Sequence, residues 1–93
     1  MIIYKYKLEQ DPTLTQGLTI PVGARFLHAG EQYGELYVWC LLPNAEAMTY
    51  TRKVYVLGTG IEASHIQLGD LEHLRFLNTV QMSSGLVWHV FVV

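Results

Sequence analysis

Charge is scarce in this sequence. Six Lys and Arg stand against eight Asp and Glu in 93 residues, where an average chain of that length carries about 23 charged side chains. Duplex nucleic acid is gripped through many Lys and Arg contacts to phosphate, so a chain of net charge −2 is not expected to bind it. Cysteine is almost absent. The single Cys40 excludes an internal disulfide and any cysteine-based zinc site. Its apolar neighbours mark it as a small core residue. Long apolar runs are missing too. The stretch 86–93 reaches only eight residues and contains His89, whereas a membrane helix needs about 20. Met1-Ile2-Ile3-Tyr4-Lys5 has no signal-peptide pattern. Together these shortages predict a cytoplasmic chain with no membrane partner.

What is present is apolar: 51% of the residues are hydrophobic, which excludes a disordered chain. A chain this long hides about 64% of its extended surface on folding, enough for one domain over 1–93 without disulfides or metals.

Period two dominates. Ile2, Tyr4, Tyr6 and Leu8 alternate with Ile3, Lys5, Lys7 and Glu9, a half-buried strand with a wet face. Asp11-Pro12-Thr13 breaks it. Leu18 and Ile20 suggest a second short strand, ended by the turn Pro21-Val22-Gly23. A hairpin follows, with arms 25–32 and 35–42 about Tyr33-Gly34, where glycine supplies a positive φ. The second arm sets Leu36, Val38, Cys40 and Leu42 on one face and Tyr37, Trp39 and Leu41 on the other. Both faces are apolar, so water is expected on neither. Residues 45–48 allow one helical turn. A strand over 50–57, rich in Tyr, Thr and Val, stops at Gly58-Thr59-Gly60. Residues 61–70 read as loop or as the start of a helical face through Leu71, Leu74 and Leu77. A last hairpin runs 73–81 and 86–93 about Ser83-Ser84-Gly85. The fold class is all-β: five to seven antiparallel strands in a small barrel or folded-over sandwich, with at most a short helical turn.

The two hairpins share a pattern. Phe26-Leu27, a turn glycine and Val38-Trp39 correspond to Phe76-Leu77, a turn glycine and Val87-Trp88. Similar packing needs in a small β protein explain this more readily than a duplication. From Phe76 to Val93 there is no Asp, Glu, Lys or Arg. That hairpin has to be covered on both faces, and a second copy meeting 86–93, with a contribution from 37–41, predicts a homo-oligomer, a dimer by preference.

Several pieces together resemble a known family: Lys5-Tyr6, Pro21-Val22-Gly23-Ala24, a hairpin from Gly34 to Trp39, Leu57-Gly58-Thr59-Gly60 and a closing Val87-Trp88-His89-Val90-Phe91. The chain is similar over nearly its whole length to small uncharacterised phage and prophage proteins. Leu57 stands where those proteins usually have Tyr, and Val92-Val93 where they have an acidic residue. The resemblance implies a phage-encoded accessory origin in the host cytoplasm and carries no activity.

The polar inventory argues against an enzyme. No acid, base and nucleophile are spaced to converge. A Cys40–His89 dyad requires the two hairpins to pair. His65 and His73 lack metal-ligand spacing, and Asp11 and Asp70 flank turns. No cofactor and no metal site is expected. The leading function is a noncatalytic phage accessory protein that binds and inhibits or redirects a host protein, as in countering a defence. Its contact residues are Tyr33, Tyr37, Trp39, Trp88 and His89, of which Trp39, Trp88 and His89 read first as core. A second reading is an oligomer that sequesters a small anion such as a signalling nucleotide through Arg52, Lys53, Gly58, Thr59 and Gly60. It requires a pocket where Arg52, Lys53 and an aromatic converge. Lys5 and Lys7 add to that basic spot if their strand lies beside the one carrying Arg52. A third is a minor virion component.

Overall fold

The computed structural model describes residues 1–44 and 48–93. The helical turn expected at 45–48 falls largely outside them. Seven strands in the described residues are β1 (Ile2–Leu8), β2 (Thr15–Pro21), β3 (Arg25–Gln32), β4 (Glu35–Leu42), β5 (Thr49–Gly58), β6 (Arg75–Gln81) and β7 (Val87–Val92). One short turn of helix, α1 (Leu68–Leu71), lies between β5 and β6. All ladders are antiparallel. They form a three-stranded sheet, β1-β4-β3, and a four-stranded sheet, β2-β5-β7-β6.

Both sheets feed one core. Directly paired antiparallel residues share a face, so Leu36, Val38, Cys40 and Leu42 of β4 point inward as a set. Val54 and Val56 of β5 do so with Val92 and Val90 of β7, and all eight are buried. Trp88 joins them at 5% exposure. β1 departs from its expected half-burial. It is an edge strand whose start overhangs the core, so Ile2 and Tyr4 stay exposed and only Leu8 is fully buried.

The sheets do not close into a barrel. β3 and β6 run side by side in the same direction: Arg25 and Phe26 share a cleft with Arg75 and Phe76, Ala29 meets Asn78, and Glu31 meets Ser83. No backbone ladder joins them. Instead the Asn78 amide does the pairing. Its Oδ1 accepts from Ala29 N at 2.8 Å, and its Nδ2 donates to Ala29 O at 2.8 Å. The opposite seam uses the same device. Gln16 Oε1 accepts from Glu9 N at 2.8 Å and Gln16 Nε2 donates to Glu9 O at 2.7 Å. A β-bulge lies between Phe26 and His28 in β3 and another between Phe76 and Asn78 in β6. Such bulges sharpen twist and re-aim side chains at sheet edges.

The outer faces differ. Residues 59–74 lie across the four-stranded sheet and bury Tyr55 completely. Tyr55 Oη donates to Asp70 Oδ2 at 2.6 Å, and Lys53 Nζ reaches Asp70 Oδ2 at 3.0 Å and Gln67 Oε1 at 2.7 Å. On the three-stranded sheet, Tyr37, Trp39 and Leu41 are only half-buried, so water does reach this second apolar face of β4.

Candidate functional site

β5 separates the residues expected to hold an anion. Arg52 lies near its start and Gly58 at its end, six residues or about 20 Å away along an extended chain. Gly58 and Thr59 line a hollow of about 360 Å³ with Ile61, Leu86 and Trp88. Its lining, completed by Gly85 and Val87, carries no charge. Lys53 faces the other way from Arg52, as successive strand residues must, and is tied to Asp70. Lys5 and Lys7 sit on β1 in the other sheet, where Lys5 bonds Gln32 and lies over the Tyr37 ring, and Lys7 pairs with Glu35. The five-residue anion site and its extended basic spot are therefore not assembled. Of the five, only Arg52 lines a cleft together with other cationic side chains.

Arg52 meets different company. A cleft of about 410 Å³ opens at the end of the core where β3 and β6 begin. Its lining is Ala24, Arg25, Phe26, Arg52, Arg75, Phe76, Leu77 and Val92. These include all three arginines of the sequence. None of the lining residues is acidic. Arg52 pairs with Leu18, and Arg75 pairs with Val92, both core-facing residues, which aims these two arginines into the mouth between the sheets. Arg25 pairs with Leu41 and comes from the outer side. Arg52 is held in place: Nε donates to Val93 O at 2.6 Å, Nη1 donates to Tyr50 Oη at 3.2 Å, and the guanidinium lies 4.9 Å from the Phe26 ring centroid. Arg25 and Arg75 are exposed, and among the described residues their guanidinium groups meet no hydrogen-bonding or ion-pair partner. Phe76 stays 58% exposed although its ring centroid is 5.3 Å from that of Phe91.

The sequence reading missed Arg25 and Arg75. The available signal was a repeat: Arg25-Phe26-Leu27 and Arg75-Phe76-Leu77, each at the start of a hairpin and each followed by a bulge at its leucine. The repeated units do not face alike. Phe26 lies opposite core-facing Cys40, whereas Phe76 lies opposite Phe91 on the outer face. The hairpin likeness also misaligns the tryptophans. Trp39 pairs with His28 on the outer face, and Trp88 pairs with Val80 in the core.

The other candidates scatter. Tyr33 stands 91% exposed at the hairpin tip with φ 53°. Tyr37 and Trp39 neighbour each other at 6.0 Å between centroids. His89 belongs to the outer face of β7, not to the core, and lies between two hydroxyls, with Thr59 Oγ1 2.6 Å from Nε2 and Thr79 Oγ1 2.9 Å from Nδ1. A neutral imidazole satisfies that arrangement by donating from one nitrogen and accepting at the other. Trp88 is buried and its indole Nε1 donates to Gln10 Oε1 at 3.2 Å. No dyad joins Cys40 to His89: one lies inside the first sheet and the other outside the second. Burial pushes the Cys40 thiol up to about 11, against a smaller downward pull from Arg52, so at neutral pH it remains an unreactive thiol. Among the described residues no three of His, Cys, Asp and Glu are grouped to hold a metal, and no helix is long and apolar enough to cross a membrane.

β7 is interior to its sheet, with β5 on one side and β6 on the other, so a second copy cannot add to it by edge pairing. Val90 and Val92 are buried inward, while Val87, His89 and Phe91 are half-covered outward.

No curated protein and no solved structure matches the chain. A family model does, over residues 1–93: the chain belongs to the family described as a domain of unknown function, DUF7352.

Proposed function

We propose that the chain is a noncatalytic binding protein and that its ligand is a small, multiply charged anion held in the arginine cleft. The observation that carries this reading is the gathering of all three arginines of a net-negative chain around one hollow. Like charges brought together repel in the empty protein, and an anion between them turns that cost into attraction. Arginine suits the task because its planar fork meets phosphate or carboxylate oxygens in pairs. Arg52 is pre-positioned by its bonds to Val93 and Tyr50 and by the Phe26 ring, which lowers the ordering cost of binding. The lining offers no carboxylate, imidazole, thiol or hydroxyl to act on a bound molecule, which favours holding over turnover.

Calorimetric titration with inorganic pyrophosphate tests this. Binding should weaken as salt rises. A hydrogen bond to a charged group contributes about 1.5–3 kcal/mol, so Arg75→Ala should lose about 10- to 100-fold in affinity. Arg75 is exposed, so the variant should keep the wild-type melting temperature. A folded Arg75→Ala that binds pyrophosphate as the wild type does would remove the cleft from the function.

A protein partner, expected on sequence grounds, has separate support in Tyr33. An aromatic side chain held 91% exposed in a left-handed backbone conformation contributes nothing to packing and is available for contact.

A further inference from the structure

The lining of the cleft says more than that its ligand is negative. We infer, resting on the reading that the cleft holds an anion, that the ligand is a nucleotide carrying at least two phosphates, with its base against Phe76. An inorganic anion needs guanidinium groups and little else. About 410 Å³ falls in the range of sites that enclose small organic ligands, about 300–1,000 Å³. It greatly exceeds the share of one water in the liquid, about 30 Å³.

The two aromatic rings differ in availability. Phe26 already carries the Arg52 guanidinium at 4.9 Å. Phe76 has 58% of its surface open and lines the same cleft. A large ring left in water beside a cluster of cations is a platform for another flat ring, since every base has a π-face to stack. Leu77 and Val92 extend the apolar wall. The charges divide in a complementary way. Arg52 is fixed at the mouth of the core. Arg25 and Arg75 stand at the first residues of β3 and β6, on the two sides of the seam. One phosphate gives a single centre for these cations, and two or more give the row of oxygens that a three-arginine rim can share.

The experiment uses the full chain, titrated with ADP, GDP, CDP, UDP, pyrophosphate and adenosine. At least one nucleoside diphosphate should bind about tenfold more tightly than pyrophosphate, the size expected for one stacked base. Adenosine alone should bind more weakly than either. Phe76→Ala should reduce the nucleoside diphosphate to the level of pyrophosphate and leave pyrophosphate unchanged. Phe76→Leu, which keeps apolar cover, should lose the same preference and guards against a folding defect. If pyrophosphate binds as tightly as every nucleoside diphosphate, or if both variants keep the preference, the nucleotide inference is wrong while the anion site stands. If neither pyrophosphate nor any nucleotide binds, the anion site fails and this inference falls with it.

Discussion

Tyr33 shows how one residue can work against the fold it belongs to. Tyr33-Gly34 forms the β3–β4 turn with φ of 53° and 78°, a pair of positive values that favours Asn-Gly over Tyr-Gly. A non-glycine side chain in this region costs about 1–2 kcal/mol, and at 91% exposure Tyr33 recovers none of it by packing. Tyr33→Asn should therefore raise stability by about 1 kcal/mol, a gain of about 4–8 °C in melting temperature for a chain of this size. A drop on thermal denaturation would show that the tyrosine ring is packed rather than displayed. Cys40 and His89 are the opposite case, chemically suggestive residues absorbed by structure. One is sealed in the core as a protonated thiol and the other is held between two threonines.

At the scale of elements, two side-chain amides take the place of missing backbone ladders. Asn78→Ala leaves Ala29 N and Ala29 O without the partner that serves both. An orphaned buried polar group costs about 1–3 kcal/mol, so the unfolding free energy measured by urea denaturation should fall by an amount in that range. A neutral result would mean that water replaces the amide and that the seam is wet. The segment 59–74 depends on a different contact. Hydrogen bonds from Tyr55 and then from Lys53 hold the Asp70 carboxyl below the usual aspartate value. Burial first, and Asp70 second, raise the Tyr55 phenol. An aspartate whose folded pKa is depressed contributes stability that is present above its unfolded value, about 3.9. That stability is lost as pH falls through the lower folded value. Asp11, lowered by the side-chain and backbone bonds of Thr13, acts in the same direction. The chain should lose stability below about pH 4, and Asp70→Asn should flatten part of that acid limb while lowering stability at pH 7. An unchanged acid limb in the variant would place the sensitivity elsewhere.

For the whole molecule, alternation and turn glycines were legible because they are local. The hairpins at 33–34 and 83–85 and the all-β class follow from residues close in sequence, whereas both faces of β4 read as apolar and only the fold shows which of them is buried. The long-range arrangement was not legible in the same way. Nothing near β7 states that it sits between β5 and β6, so its missing charges do not distinguish a strand with both neighbours inside the domain from one paired with a second copy. Trp39 and Trp88 share a Val-Trp context, yet the bulges and register send one outward and the other inward. The arginine cleft depends on bringing the starts of β3 and β6, fifty positions apart, to one mouth with Arg52. The Arg-Phe-Leu repeat was its one local trace.

The most direct measurement is a backbone amide map by NMR, recorded while pyrophosphate is added to the intact chain. Binding at the arginine cleft predicts shifts concentrated at Arg25, Phe26, Arg52, Arg75, Phe76 and their neighbours, with Gly58-Thr59-Gly60 unmoved, and the loss of these shifts in Arg75→Ala. An anion that moves the Gly58–Gly60 loop and leaves the three arginines unchanged, or moves nothing at millimolar concentration, would contradict it.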